Sequence, residues 1–181
     1  MGEVGAFGGT RDPMHSADLL RYAFDQVQET FRGTLEGLDP DDLSRRPAPD
    51  ANTVGWLTWH LVRVQDDHVA ELAGRDQVWT GEGWADRFAL PFDATETGYG
   101  FDAEQVGAVR IPSVDLLVGY ASAVHARTAD YLEGLSDDDL DRVVDESYDP
   151  PVTVGVRLVS VLSDDLQHLG QVAYVRGLLG G

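Results

Sequence analysis

Leu20, Phe24, Val27, Phe31 and Leu35 recur at intervals of three and four residues, the spacing that lines one face of an α-helix. A helix with a single apolar face has to bury it against partners, so the number of such segments bounds the fold. Four are present. Pro13 and Ser16 introduce the first, which is predicted to run to about Leu38. Asn52 or Thr53 caps the second, which continues to about Ala73 before Gly74; Pro112 opens the third, to about Leu135; Thr153 caps the fourth, which ends before Gly177. A short helical turn begins at Asp39-Pro40-Asp41-Asp42-Leu43, and Pro47 to Asp50 form a loop. Strand signals are weak throughout. The pattern predicts an all-α four-helix bundle with a long crossover connection between helices two and three.

That connection, from Gly74 to about Ile111, holds Trp79, Trp84, Phe88, Phe92, Tyr99 and Phe101. A connection this long inside a compact domain is usually functional or wraps the core. Residues 1–12, with Gly2, Gly5, Gly8 and Gly9, read as a flexible N-terminal tail, and residues 13–181 as one domain.

The chain repeats itself. Leu35-Glu36-Gly37-Leu38 is followed by an acidic turn ending at Leu43, and Leu132-Glu133-Gly134-Leu135 by one ending at Leu140. Thr53-Val54-Gly55 recurs as Thr153-Val154-Gly155, and His68 falls at the position of His168. Helices two and four are therefore counterparts, and a functional residue on one should face the other near the bundle axis.

Within the last helix, Asp164 and His168 lie four apart, roughly 40° round the axis from one another, so both can reach one ion. Val161 and Val172 share their side, and a carboxylate on an apolar face is costly unless paired or bound to a cation. His60 is flanked by Trp56, Leu57, Leu61 and Val64, which point its imidazole inward. Together the three would make a metal site with open positions, the arrangement of a catalytic rather than a structural metal. The alternative is a buried Asp164–His168 hydrogen-bonded pair without metal. A di-metal site fits poorly: Asp165-x-x-His168 supplies half of the Glu-x-x-His pattern, but the earlier half offers only Gln65-x-x-His68. His68 reads as an exposed or capping histidine, His125 as a supporting or substrate-contacting residue on a small-residue face, and His15 as incidental.

Charge and composition remove other classes. The formal net charge is -19, and all 13 basic residues are arginine; such a surface repels phosphate backbones, so no nucleic-acid partner is expected. No run approaches the ~18 apolar residues of a membrane span, so a cytoplasmic location without membrane contact is expected. The absence of cysteine excludes thiolate ligands and nucleophiles, and any thiol chemistry would need a thiol from outside.

Thr53-Val54-Gly55-Trp56-Leu57-Thr58-Trp59-His60-Leu61 and His168-Leu169-Gly170-Gln171, set in a four-helix bundle, resemble the DinB-like superfamily from about Met14 to Gly177. Many members bind a divalent metal through three histidines, and the branch that includes mycothiol-dependent maleylpyruvate isomerase uses His, Glu and His. By position, His60 and His168 match the histidines and Asp164 takes the remaining place, with a side chain one methylene shorter than Glu. The ion then sits closer to helix four or is bound more weakly. The resemblance implies a metal-dependent S-transferase or isomerase using a low-molecular-weight thiol such as mycothiol, with zinc as the metal and nickel second. Its partners would be a small thiol or an electrophilic substrate, and a homodimer is compatible with the apolar outer surfaces. A non-catalytic bundle that binds a metal or small ligand is the competing expectation.

Overall fold

The structure is a computed structural model and describes residues 14–180. The tail expected over residues 1–12 lies outside the described residues. Four long helices carry the fold: α1 (Ser16–Leu35), α3 (Val54–Ala73), α7 (Val114–Glu133) and α8 (Val154–Leu178). The short α2 (Pro40–Ser44) joins α1 to α3; α4 (Val78–Gly81), α5 (Trp84–Phe88) and α6 (Ala103–Ala108) punctuate the long connection. α3 and α1 each pack against both α7 and α8, which closes the bundle. The all-α bundle with its crossover between the second and third long helices is as the periodicity requires.

Three boundaries differ from expectation. α1 stops at Leu35 rather than Leu38, because Gly37 turns the chain at φ +78°. α8 continues through Gly177 to Leu178. Between α7 and α8 the chain also forms a 3-10 turn (Asp138–Asp141) and a small antiparallel ribbon of β1 (Val143–Asp145) and β2 (Val152–Thr153). Thr153 ends that ribbon and caps α8 in the same residue, a dual role that periodicity does not reveal.

The repeat is built into the joints. Thr53 Oγ1 accepts a hydrogen bond from Trp56 N at the start of α3, as Thr153 Oγ1 does from Val156 N at the start of α8. A Cβ on Gly55 would lie 2.9 Å from the Leu43 carbonyl oxygen, and one on Gly155 would lie 3.3 Å from the Leu140 carbonyl oxygen. Each glycine lets the preceding turn close onto the first turn of its helix.

α3 is the interior helix: every residue from Val54 to Arg63 is buried. Its C-terminal half is pinned by a polar network. The buried Asp66 accepts from Val78 N and Trp79 N, both at 2.8 Å, and from the Tyr120 hydroxyl at 2.8 Å. Arg63, fully buried, donates to Gln77 Oε1 at 2.9 Å and to the Glu96 carbonyl at 3.3 Å, with its guanidinium 5.1 Å from the Trp79 ring centre. These bonds tie the start of the aromatic connection and its middle, next to Thr97, to α3.

Candidate metal centre

α3 and α8 meet along a seam where His60, Asp164 and His168 converge. One potential ligand atom from each lies within 4.8 Å of the other two, a separation that small side-chain rotations close onto one ion. His60 is 5% exposed and held from three sides. Its Nδ1–H donates to the Thr97 carbonyl at 2.7 Å, which leaves the lone pair on Nε2. Trp56, one turn earlier on α3, stacks on the ring at 4.7 Å with the planes 10° apart. Gly98, at φ +90°, closes the third side: a Cβ there would come within 2.8 Å of Trp59 Cζ3 and 3.2 Å of His60 Nδ1.

His168 is arranged in the same sense. Its Nδ1–H donates to Gln171 Oε1 at 3.0 Å, so Nε2 again carries the lone pair and lies 3.5 Å from Asp164 Oδ1. The His60 and His168 rings meet edge to face, 5.0 Å between centres. Asp164 Oδ2 is buried with no hydrogen-bond partner. A buried carboxylate oxygen without a donor is costly. Two outward-held imidazole nitrogens and an unpartnered carboxylate oxygen are the donor set that suits a divalent ion such as zinc. The residues fit a metal, and the His/Asp/His group could hold one.

The charges are coupled. Burial lowers the His60 pKa below 6.5, only partly offset by the Thr97 hydrogen bond. The neighbouring Asp164 carboxylate raises that of His168 above 6.5. Burial pushes Asp164 upward, but His168 once protonated, donating from Nε2, and His60 behind it bring its pKa below the ordinary carboxylate range.

Other expectations need correction. Asp164 was expected as the carboxylate on the core face, yet its side chain is 36% exposed and the fully buried acid is Asp165. Leu158, Val161, Asp165, Leu169 and Val172 form the buried stripe of α8, and Asp165 interrupts it; that interruption was the available signal. Neither Asp165 oxygen has a partner, and burial holds its pKa well above the usual range, favouring the uncharged acid. His125 is not a neighbour of the triad: its Nε2 pairs with Asp25 Oδ1 at 3.0 Å, joining α7 to α1. His68 is neither freely exposed nor a cap. It bridges to α8, with Nδ1 2.8 Å from Arg157 Nη1. The supports Thr97, Gly98 and Arg157 carry no local pattern that marks them, because each acts across a fold contact.

A cavity of about 290 Å³ opens beside the triad, lined by His60, Val64, His68, Tyr99, Ser160 and Asp164 among others. A second, of about 270 Å³, lies on the other face of α3 against Val69, Ala70, Val78 and Val124, and touches none of the three. Among the described residues no helix is long and apolar enough to cross a membrane.

Residues 23–172 match the family model described as the DinB superfamily. The fold is similar to a crystal structure of a conserved protein from Enterococcus faecalis, at 33% identity and a TM-score of 0.87 over 93% of this chain and 100% of that one. No curated protein matches.

Proposed function

The chain belongs to the DinB superfamily, and from that premise we propose a metal-dependent enzyme in which His60, Asp164 and His168 hold one divalent ion, zinc before nickel. The observation that carries the reading is the matched pair of imidazoles. Each has Nδ1 committed to an acceptor, Thr97 or Gln171, which leaves Nε2 free beside the unpartnered Asp164 oxygen. Such three-ligand sites leave positions open for exogenous groups. A metal bound there would lower the pKa of a coordinated thiol or water and so supply a nucleophile at neutral pH.

The surrounding residues suit transfer or isomerisation of a small molecule on a low-molecular-weight thiol such as mycothiol. The cavity adjoining the triad gives a substrate room; a closed storage site would not need it. Trp56 and the Thr97–Gly98 segment cover the His60 side and exclude water from it. The chain has no cysteine, so the thiol arrives with the cofactor or substrate. The acidic surface is that of a protein acting on small molecules in the cytoplasm rather than on nucleic acid.

The test is metal content. Protein purified without an affinity tag should carry about one divalent ion per chain by mass spectrometry, and His168→Ala should carry almost none; equal metal in both sinks the assignment. After cobalt substitution, a thiol should shift the visible spectrum. Absence of that shift would favour a bundle that binds metal without catalysis.

A further inference from the structure

The seam between α3 and α8 continues past the triad. Eight residues along α3 from His60, about 12 Å at 1.5 Å per residue, His68 lines the far end of the same cavity. Arg157 lies seven residues before Asp164, and the antiparallel packing of the helices brings it beside His68. Val64, Val161 and Ser160 lie between the two ends, and Tyr99, 86% exposed, stands at the rim.

An arginine can only donate. Its contact with His68 Nδ1 at 2.8 Å therefore makes Nδ1 an acceptor and places the single ring proton on Nε2. A doubly protonated ring could not accept that bond, so His68 is neutral in this arrangement. Burial and the Arg157 charge lower its pKa in the same sense. The Arg157 charge is already matched, by Glu71 at 3.6 Å and Asp145 at 3.5 Å. Asp67 adds another carboxylate to the lining at this end, 4.0 Å from His68 Nδ1. This end of the cavity therefore offers one N–H donor in negatively charged surroundings. An anionic group would be repelled there, while a neutral acceptor would not.

We propose that His68, positioned by Arg157, is a specificity residue that binds an uncharged hydrogen-bond acceptor, an amide carbonyl or a hydroxyl, on a substrate whose other end reaches the triad. The proposal rests on the metal reading for that other end. It goes beyond that reading in assigning a substrate polarity and a residue that selects it.

Three small thiols separate the alternatives: N-acetylcysteamine, with a neutral amide; 3-mercaptopropionate, with a carboxylate; and ethanethiol, with neither. In metal-loaded protein, N-acetylcysteamine should bind about tenfold tighter than the other two, the value of one hydrogen bond in a half-buried site. His68→Phe should abolish the preference without changing metal content, and His68→Gln, which keeps an N–H donor, should retain part of it. Equal affinities in the unaltered protein, or a preference that survives His68→Phe, overturn the proposal. If the protein binds no metal, the function proposed above fails on its own. The His68 assignment is then decided by nitrogen-15 NMR of the metal-free protein with N-acetylcysteamine. A shift of the His68 Nε2–H resonance supports it, and no shift rejects it.

Discussion

α3 and α8 contribute to the same site from opposite conditions. α3 buries fifteen of its twenty residues; α8 buries seven of its twenty-five. His60 accordingly comes from the wholly buried half of its helix, its ring fixed by a stacked indole, a main-chain carbonyl and a glycine with no room for a side chain. Asp164 and His168 come from a helix with one face in solvent, and the latter is oriented by Gln171, a side chain on its own surface. The difference teaches how the labour is divided: a rigid helix sets where an ion could sit, and a more open helix supplies the charge and the adjustable part of the grip.

If α3 is the rigid partner, breaking its pins should cost most. Asp66→Ala leaves Arg63 buried without its carboxylate, and removes the acceptor of Val78 N, Trp79 N and the Tyr120 hydroxyl. We expect a loss of about 3–5 kcal/mol in urea unfolding; a change under about 1 kcal/mol would show that the helix is not held this way. Gly98→Val comes next. It forces a β-branched residue to positive φ against Trp59 and displaces the Thr97 carbonyl from His60, so metal affinity should fall about 10–100-fold, read by competition with a chelator. Gln171→Ala, on the open helix, should lower the same affinity about tenfold and leave unfolding within about 0.5 kcal/mol. Equal losses from these two variants would erase the distinction between the helices.

The smallest effect is a gain. A Cβ on Gly170 meets nothing within 4 Å on the exposed face of α8, so Gly170→Ala should stabilise the metal-free protein by about 0.5–1 kcal/mol without changing metal content. The gentlest probe alters no residue. In the metal-free protein, the ring resonances of His168 should titrate above pH 6.5 and those of His60 below it. Both rings must be neutral to ligate, so metal affinity should decline as the pH falls through these values, with the α8 ligand protonated first. The reverse order in an NMR titration would contradict the assignment of the buried and open partners.

The comparison also explains which features the chain displays in its sequence. Apolar spacing locates all four long helices, and the threonine caps of α3 and α8 are visible as Thr53 and Thr153 because capping is local. Asp164 and His168 are legible as a pair because helical geometry alone makes them neighbours. Choosing between Asp164 and Asp165 is harder. They differ by one step of about 100°, and only the positions of Leu158, Leu169 and Val172 place the second in the core. Thr97, Gly98 and Arg157 escape notice for another reason: each reaches its histidine through a contact between elements distant in the chain. The short helices of the connection are likewise set by tertiary anchors, Asp66 above all, and not by a period of their own.

The bond that orients His60 is accepted by a main-chain oxygen. Its information is therefore stored in the path of the backbone and in no side chain. Position 97 is free to change its side-chain chemistry while the instruction to the imidazole stays the same. The requirement is recorded one residue later, where Gly98 alone fits the turn and the space beneath it. A residue that touches no ion and has no functional group thus becomes the one letter in the connection in which the orientation of the site can be read.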